Sequence, residues 1–207
     1  MARIEQKEET RRRILVAAGR GFRRGGFGGI GVDGLAKEAG VTSGAFYVHF
    51  NSKAEAFREA AIASVSEVHD AITQLQAEQP DVWWEVFVRF YLGTKRLCDL
   101  AESCGMQSLA PEVARADEAS KAGFQAELLR VAQAVVDGPP AQHVPRDLGS
   151  ALAALAALAG AVTLARAVQD PGVADQIARS TESQLLPMAH ASVAAPSAQA
   201  RRRPRQR

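Results

Sequence analysis

The chain has few of the residues that build disulfide frameworks and membrane anchors. Its 207 residues include two cysteines, Cys98 and Cys104, and aromatic residues make up 6%. Two cysteines do not make a multi-bridge framework, which argues against a small disulfide-stapled secreted protein. The charged residues at the start are followed by no apolar signal region, so we expect a cytoplasmic protein in a reducing compartment.

Residues typical of β-strands are also sparse, whereas alanine is abundant. Hydrophobic residues amount to 47%, which is enough for a core, and the balance favours helices over sheet. The uncharged stretch from Leu148 to Ala165 is mostly alanine and has no aromatic belt or basic flank. We therefore expect a helix buried in a helix–helix interface and no membrane span.

The net charge of +2 conceals an uneven distribution. Residues 1–53 hold ten Lys/Arg against five Asp/Glu, residues 54–200 hold ten against eighteen, and residues 201–207 hold five Arg and no acid. A basic first segment on an acidic remainder predicts that the first segment meets a polyanion. Solvated surface charge without a partner is the alternative, and the distribution alone leaves it open.

Helix signals are clearest in the first third of the chain. Helices are predicted near residues 5–24, 32–39 and 42–50, with glycine stops after the first two. Ser52 and Glu55 form a capping box: the Ser52 hydroxyl accepts from the Glu55 amide, and the Glu55 carboxylate accepts from the Ser52 amide. A long fourth helix is therefore predicted to run from Lys53 to about residue 77.

Later helices are predicted from the spacing of apolar residues between Pro and Gly breaks. They lie near residues 80–91, 105–111, 146–168 and 173–191, and residues 112–136 are predicted to form one or two helices.

Two short helices joined by a tight glycine turn indicate a helix-turn-helix, whose second helix enters the major groove with its N-terminal residues leading. Small residues there let the backbone approach the duplex, and hydroxyls and free amides can donate to phosphates. Phe46 and Phe50 are expected to pack inward. The predicted DNA-binding residues are Thr42, Ser43, Gly44, Ala45, Tyr47, His49, Lys53 and Arg11.

The same residues resemble the DNA-binding domain of TetR-family transcriptional regulators, over residues 8 to about 60. The segments that carry the resemblance are Thr10–Ala18, Phe22, Gly26-Phe27, Val32–Ala36, Ala39–Val41, Gly44–Phe50 and Ser52-Lys53. The resemblance implies an all-α homodimer of about nine helices per chain. It also implies that Thr42, Ser43, Ala45, Tyr47, His49 and Lys53 occupy the family's usual DNA-contact positions.

The resemblance divides the chain into three parts. Residues 8–68, here called the head, are a three-helix helix-turn-helix domain that binds operator DNA. Residues 69–192, the body, bind a small-molecule inducer and form the dimer, and residues 193–207 are predicted to be a disordered basic tail. The last two long helices are expected to form a four-helix dimer interface, and the operator is expected to be a palindrome.

The chain departs from the family pattern at two positions. Gly31 stands where most members begin the second helix with Ser or Thr, and Ser43 stands at a position that is often Lys. Both departures remove a phosphate contact. The arginines at 11–13 or the tail are expected to compensate.

The body carries weaker signals. Aromatic side chains are dense near Trp83 and Trp84, and such residues line apolar ligand pockets as well as ordinary helical cores. Both interpretations stay open here. The predicted ligand-binding residues are Phe87, Phe90, Tyr91, Phe124 and Met106.

Cys104 precedes a predicted helix start. A helix N-terminus lowers the pKa of a thiol and favours the thiolate, and the segment from Cys104 to Ala114 resembles a TetR subgroup with a cysteine here, some members of which sense electrophiles or oxidants. Cys104 is therefore a candidate redox sensor. The alternative is a small buried hydrophobe.

The predicted function is that of a ligand-responsive repressor, released from its operator by a small-molecule inducer or by thiol modification. An architectural DNA-binding protein without a ligand is one alternative, and a small helical enzyme is the other. The sequence shows no nucleophile with a positioned base, no glycine-rich phosphate loop and no metal-ligand pair at helical spacing. We therefore expect no catalysis, no cofactor and no metal.

Overall fold

The computed structural model describes residues 2–187, and within that range the chain is helical without any β-strand. The all-α prediction is confirmed, with ten helices against about nine expected. A π-helical turn, Tyr91–Lys95, and a 3-10 turn, Leu100–Glu102, separate the fifth and sixth. The helices are α1 (Ala2–Gly29), α2 (Val32–Glu38), α3 (Ser43–His49), α4 (Lys53–Glu78), α5 (Trp83–Phe90), α6 (Gly105–Ser108), α7 (Ala110–Val113), α8 (Glu118–Asp137), α9 (Leu148–Ala167) and α10 (Pro171–Leu185). The predicted tail, 193–207, lies outside the described residues.

Two glycines shape the helices of the head. Gly26 (φ 70°) kinks α1, which continues to Gly29, past its predicted end near residue 24, whereas Gly40 (φ 67°) follows α2 as predicted. Both values lie in the left-handed region that glycine adopts without steric cost. At Gly40 a Cβ would also stand 2.6 Å from the guanidinium of Arg13, so that side chain would have to shift. That guanidinium donates to the Ala39 carbonyl and so fixes the turn between α2 and α3.

Side-chain caps set the starts of α3 and α4. The Thr42 hydroxyl accepts from the Ala45 amide at 3.1 Å, and the Ser52 hydroxyl accepts from the Glu55 amide at 3.1 Å. One half of the predicted capping box is wrong: the Glu55 carboxylate accepts from the Asn51 amide, at 2.6 Å, and not from that of Ser52. Ser52 is extended (φ −157°, ψ 163°), and the preceding amide is the one within reach of the carboxylate.

Buried apolar side chains form two clusters that share helix α4. The head core contains Phe22, Phe46, Phe50 and the start of α4 through Ala61, and the body core takes over from Val65. Leu109 and Val113, from the segment around α7, pack into the head core although they lie far along the chain. The division of the chain at residue 68 stays a prediction.

Three later boundaries differ from the predicted ones. Pro111 lies in the first turn of the separate short helix α7, and α8 begins only after Asp117, whose carboxylate accepts from the Ser120 amide at 2.7 Å. Helix α10 ends at Leu185 rather than near residue 191. Pro187 accounts for the early end, because the residue before a proline disfavours helical backbone, and Leu186 has φ −129° and ψ 62°.

Helix α9 carries no charged residue from Leu148 to Ala165. Among the described residues it is the one helix long and apolar enough to cross a membrane by length and composition, with a mean hydropathy of 2.0. It packs against α8 and α10. One side of it is buried, but in the single chain the buried share of its apolar window is 39%. The helix therefore has an apolar face that the other residues of the range 2–187 do not cover.

Candidate nucleic-acid interface and ligand cavity

Helix α3 separates its buried and exposed residues as predicted. Phe46 and Phe50 are 0% and 1% exposed, whereas Tyr47 and Val48 are 56% and 66% exposed. The Tyr47 ring rests edge-on against Phe46, with 5.5 Å between ring centroids. The buried phenylalanines fix the helix to the head core, and Tyr47 projects from the side left open to a partner.

The hydroxyls at the start of α3 already hold hydrogen bonds within the head. Thr42 accepts from the Ala45 amide, so its own proton stays free for a phosphate. Ser43 instead donates its only proton to the Asp33 carboxylate of α2. Gly31, at the start of α2, forms no side-chain cap. Ser43 and Gly31 thus supply no free hydroxyl proton for a phosphate in this conformation.

His49 lies at the C-terminal end of α3 with its Nδ1 atom buried and without a hydrogen-bond partner among residues 2–187. Burial lowers the pKa of the imidazole, and the positive charges of Lys7 and Arg11 lower it further. The ring is therefore kept neutral beside two cations. A phosphate brought to the same place would reverse that effect, since a nearby negative charge favours the imidazolium.

Two of the predicted basic contacts are held against aromatic rings. The guanidinium of Arg11 lies 4.8 Å from the centroid of the Phe50 ring and pairs with Glu59 of α4. The ammonium of Lys53 lies 4.4 Å from the centroid of the Phe27 ring. These contacts orient both cations, but the charge of Arg11 is partly neutralised before any phosphate arrives. Lys7, which the sequence reasoning did not select, adds a further cation near His49.

The segment that contains α2, α3 and the start of α4 is also the one whose sequence is similar to known proteins. Residues 14–60 match the family model of bacterial regulatory proteins of the tetR family. Residues 14–60 are thus similar to the DNA-binding segment of TetR-family regulators. The cysteine subgroup expected from the sequence is not confirmed by these comparisons.

The curated relatives match this chain over part of their length. The transcriptional regulator TtgR of Pseudomonas putida is 38% identical over 78 residues, which are 38% of this chain and 37% of TtgR. AcrR of Shigella flexneri is 37% identical over 76 residues, covering 37% and 35% of the two chains. Both are named as regulators of transcription rather than as enzymes. The alignments thus span little more than a third of either relative.

Solved structures extend the likeness to the whole fold. A TetR-family regulator from Cytophaga hutchinsonii superposes with a TM-score of 0.69 at 17% identity, over 87% of this chain and 94% of the other. The reduced form of NemR from E. coli gives a TM-score of 0.66 at 19% identity, over 85% and 94%. At these identities the likeness shows a shared fold.

The body contains a cavity of 240 Å³ between α4, α5 and the π-helical turn. Three of the five residues predicted to bind a ligand line it, namely Phe87, Phe90 and Tyr91, and Cys104 joins them. The cavity wall is completed by Ser64, Glu67, Val68, Ala71 and Lys95. Sequence reasoning missed these five residues. The four on α4 follow one another at positions 64, 67, 68 and 71, the spacing of a single helical face, which was the available signal.

Met106 and Phe124 do not line this cavity. Met106 is 4% exposed and packs in the body core. Phe124 is half-buried on α8 and contacts both cores. The helical spacing of Phe124 predicts an inward-facing residue but does not show which interior it faces.

The surroundings of Cys104 correct the expectation of an activated thiol. Burial raises the pKa of the Cys104 thiol, although contacts with Tyr91 and the backbone amides of Gln107 and Met106 act in the opposite direction. Desolvation therefore outweighs the helix N-terminus. The residue is 7% exposed, which is typical of a structural cysteine.

Proposed function

We propose that the chain is a transcriptional repressor that binds operator DNA through α3 as a dimer and releases it when a small molecule occupies the body cavity. The observation that carries this proposal is the course of α4. The helix begins at Lys53, directly after α3, and its residues from Ser64 to Ala71 line the cavity. A shift of α4 caused in the cavity therefore moves the segment that holds the reading helix.

The mechanism is a shift in the equilibrium between two conformations of the dimer, which differ in the distance between its two heads. One conformation fits the operator and the other does not. An inducer acts only if it binds the second conformation more tightly than the first, because equal affinity for both leaves the equilibrium unchanged. The cavity supplies a place where such a preference arises, since α4 forms one wall and α5 another. An architectural protein would need no such cavity, which favours the repressor over that alternative.

Operator binding is tested by a mobility-shift assay with the intergenic sequence upstream of the gene. We expect a specific complex that survives an excess of unrelated duplex at moderate salt, and a footprint with two symmetric halves. Because the proposed role requires access to DNA, the proposed location is the cytoplasm. If no promoter-derived duplex forms a specific complex, the proposed function is wrong.

The dimer is proposed to form through the uncovered face of α9. Exposed small residues, Ala153, Ala156 and Ala157, follow one side of the helix, and Leu164 on it is 59% exposed. Small residues let two helices approach closely, and two copies of one face give a closed twofold pair. Ala157→Glu should yield monomers in light scattering, whereas the control Ala126→Glu, at an exposed position on α8, should remain dimeric.

Thiol modification is the other release route that the sequence predicts. Cys104 lines the cavity, so a reagent small enough to enter would reach it, but the raised pKa of the thiol works against reaction. If wild type and Cys104→Ser are released equally by a reactive aldehyde, quinone or hypochlorite, the thiol route is excluded and the inducer route remains.

A further inference from the structure

The hydroxyl of Tyr91 is a buried polar group without a partner. Tyr91 is 2% exposed, it lines the body cavity, and its oxygen makes no hydrogen bond within the described part of the chain. Buried hydroxyls are nearly always paired, and an unpaired one destabilises the fold. A group of this kind at the wall of a cavity points to something that enters the cavity and pairs with it.

The neighbour that reaches the Tyr91 hydroxyl is the Cys104 thiol, which pairs with it only weakly. Burial raises the pKa of the Tyr91 phenol, and the charge and hydrogen bond of the Cys104 thiol raise it further. A raised pKa keeps the phenol protonated, so the hydroxyl remains a donor. Sulfur is a weak acceptor, which leaves an oxygen or nitrogen acceptor as the better partner.

The two charged residues of the cavity wall are engaged elsewhere. The Lys95 ammonium donates to the Glu102 carbonyl at 2.9 Å, and the Glu67 carboxylate lies 3.6 Å from the guanidinium of Arg23. The ammonium and the carboxylate of the wall carry opposite charges, so the wall offers a charged ligand group no net counter-charge, and burying such a group beside Tyr91 is costly. The remaining wall is aromatic and apolar, from Phe87 and Phe90 to Val68.

We propose that the cavity binds a small, neutral aromatic molecule whose single hydrogen-bond acceptor pairs with the Tyr91 hydroxyl. This inference rests on the proposed function and names the class of its inducer. Size agrees with it, since an apolar cavity of about 150 Å³ holds benzene, and the 240 Å³ here leaves space for one ring with a short substituent. Phe90, 41% exposed, stands at the open side of the cavity.

Three probes with the same number of non-hydrogen atoms separate the elements of the proposal. Acetophenone carries a ring and a neutral acceptor, isopropylbenzene has the ring alone, and benzoate replaces the acceptor with a negative charge. Binding is read from the fluorescence of the two tryptophans, because the Trp84 ring stacks on Phe87 of the cavity wall at 5.9 Å. Calorimetry gives the same affinities independently.

We expect wild type to bind acetophenone more tightly than isopropylbenzene and benzoate least. Tyr91→Phe, which deletes only the hydroxyl, should weaken acetophenone binding roughly 3- to 10-fold, the value of one neutral hydrogen bond. Its affinity for isopropylbenzene should be unchanged or higher. The urea midpoint of Tyr91→Phe should match or exceed that of wild type, because the lost hydroxyl was unpaired.

Each contrary result has its own meaning. Equal loss of acetophenone and isopropylbenzene binding in Tyr91→Phe would overturn the pairing, and preferential binding of benzoate would overturn the neutral class. A much lower urea midpoint would show that the hydroxyl is paired in the free protein, which also overturns the inference. Wild type that binds none of the three, yet shifts operator DNA, would reject the ligand class while leaving DNA binding intact.

Discussion

The guanidinium of Arg23 in α1 donates to the Ser64 hydroxyl of α4 at 3.0 Å, at the wall of the body cavity. Its Nε atom donates at 2.8 Å to the carbonyl of Ala101, on the 3-10 turn. The Arg23 side chain is 8% exposed, and its nearest carboxylate, on Glu67, lies 3.6 Å away. One nearly buried cation thus ties the first helix of the head to the helix and the turn that border the cavity.

Arg23→Gln should destabilise the protein by about 1–3 kcal/mol, because the Ala101 carbonyl loses its donor and the Ser64 hydroxyl a partner in a buried place. The free energy of unfolding in urea measures the effect. Arg24→Gln is the matched control, since Arg24 pairs with Glu38 on the surface with half of its side chain exposed. Surface ion pairs contribute about 0–1 kcal/mol.

The same two variants test whether Arg23 couples the cavity to the head. We expect both variants to bind operator DNA. Acetophenone should release Arg23→Gln from the operator less than it releases Arg24→Gln. Equal stability and equal response in the two variants would show that Arg23 does not couple the cavity to the head.

Gly105 marks the closest approach of α6 to α4. A Cβ built there would overlap the Cβ of Ser64 and stand 3.3 Å from its Cα. Gly105→Ala should therefore push the helices apart and destabilise the protein by about 1–3 kcal/mol, the usual cost of overpacking. Gly93→Ala is the control, because no atom lies within 4 Å of the added methyl. If urea unfolding finds the two variants equally stable, the close packing at Gly105 is refuted.

Features set by neighbours in the sequence were the predictable ones. The caps at Thr42 and Ser52 and the stop at Gly40 depend on residues within a few positions, and the helical spacing of Phe46 and Phe50 identifies the buried side of α3. Such local rules act in the unfolded chain as well. They therefore locate the reading helix from the order of the residues alone.

Features that join distant segments were not predictable in the same way. The pairs Arg11–Glu59 and Arg23–Ser64 link residues 48 and 41 positions apart, and no pattern in the sequence marks them. Cys104 shows the limit of a local rule, since its place before α6 favours the thiolate while burial by other helices raises the thiol pKa. Tertiary packing determines both the long-range pairs and the pKa of the Cys104 thiol.

Tyr47 is the exposed aromatic residue of α3 and is predicted to bond a phosphate through its hydroxyl. Tyr47→Phe should weaken operator binding roughly 3- to 10-fold without changing the salt dependence, because no charge is removed. Lys53→Gln should reduce the salt slope by about one. Filter binding at several salt concentrations measures both. A changed slope in Tyr47→Phe, or an unchanged one in Lys53→Gln, contradicts the assigned contacts.

His49 gives the protein a predicted pH dependence of stability. The pKa of the folded-state imidazole lies below the ordinary value of 6.5, through burial, Lys7 and Arg11. The unfolded chain therefore holds more protons between the two pKa values, and the free energy of unfolding falls as the pH is lowered through 6.5. His49→Gln should remove this loss, whereas His69→Gln on α4 should retain it.

Operator DNA should reverse the sign of the pH effect at the same residue. A phosphate beside His49 favours the imidazolium, so the complex takes up a proton and affinity rises as the pH falls from about 7.5 to about 5.5. The stability of the free protein falls over the same range. The pH dependence of operator affinity therefore has the opposite sign to that of stability, and the two can be told apart. Mobility shifts across the range should show the rise in wild type and in His69→Gln but not in His49→Gln. An unchanged pH profile in His49→Gln would mean that no phosphate lies beside the imidazole, and His49 would then act only in packing the end of α3.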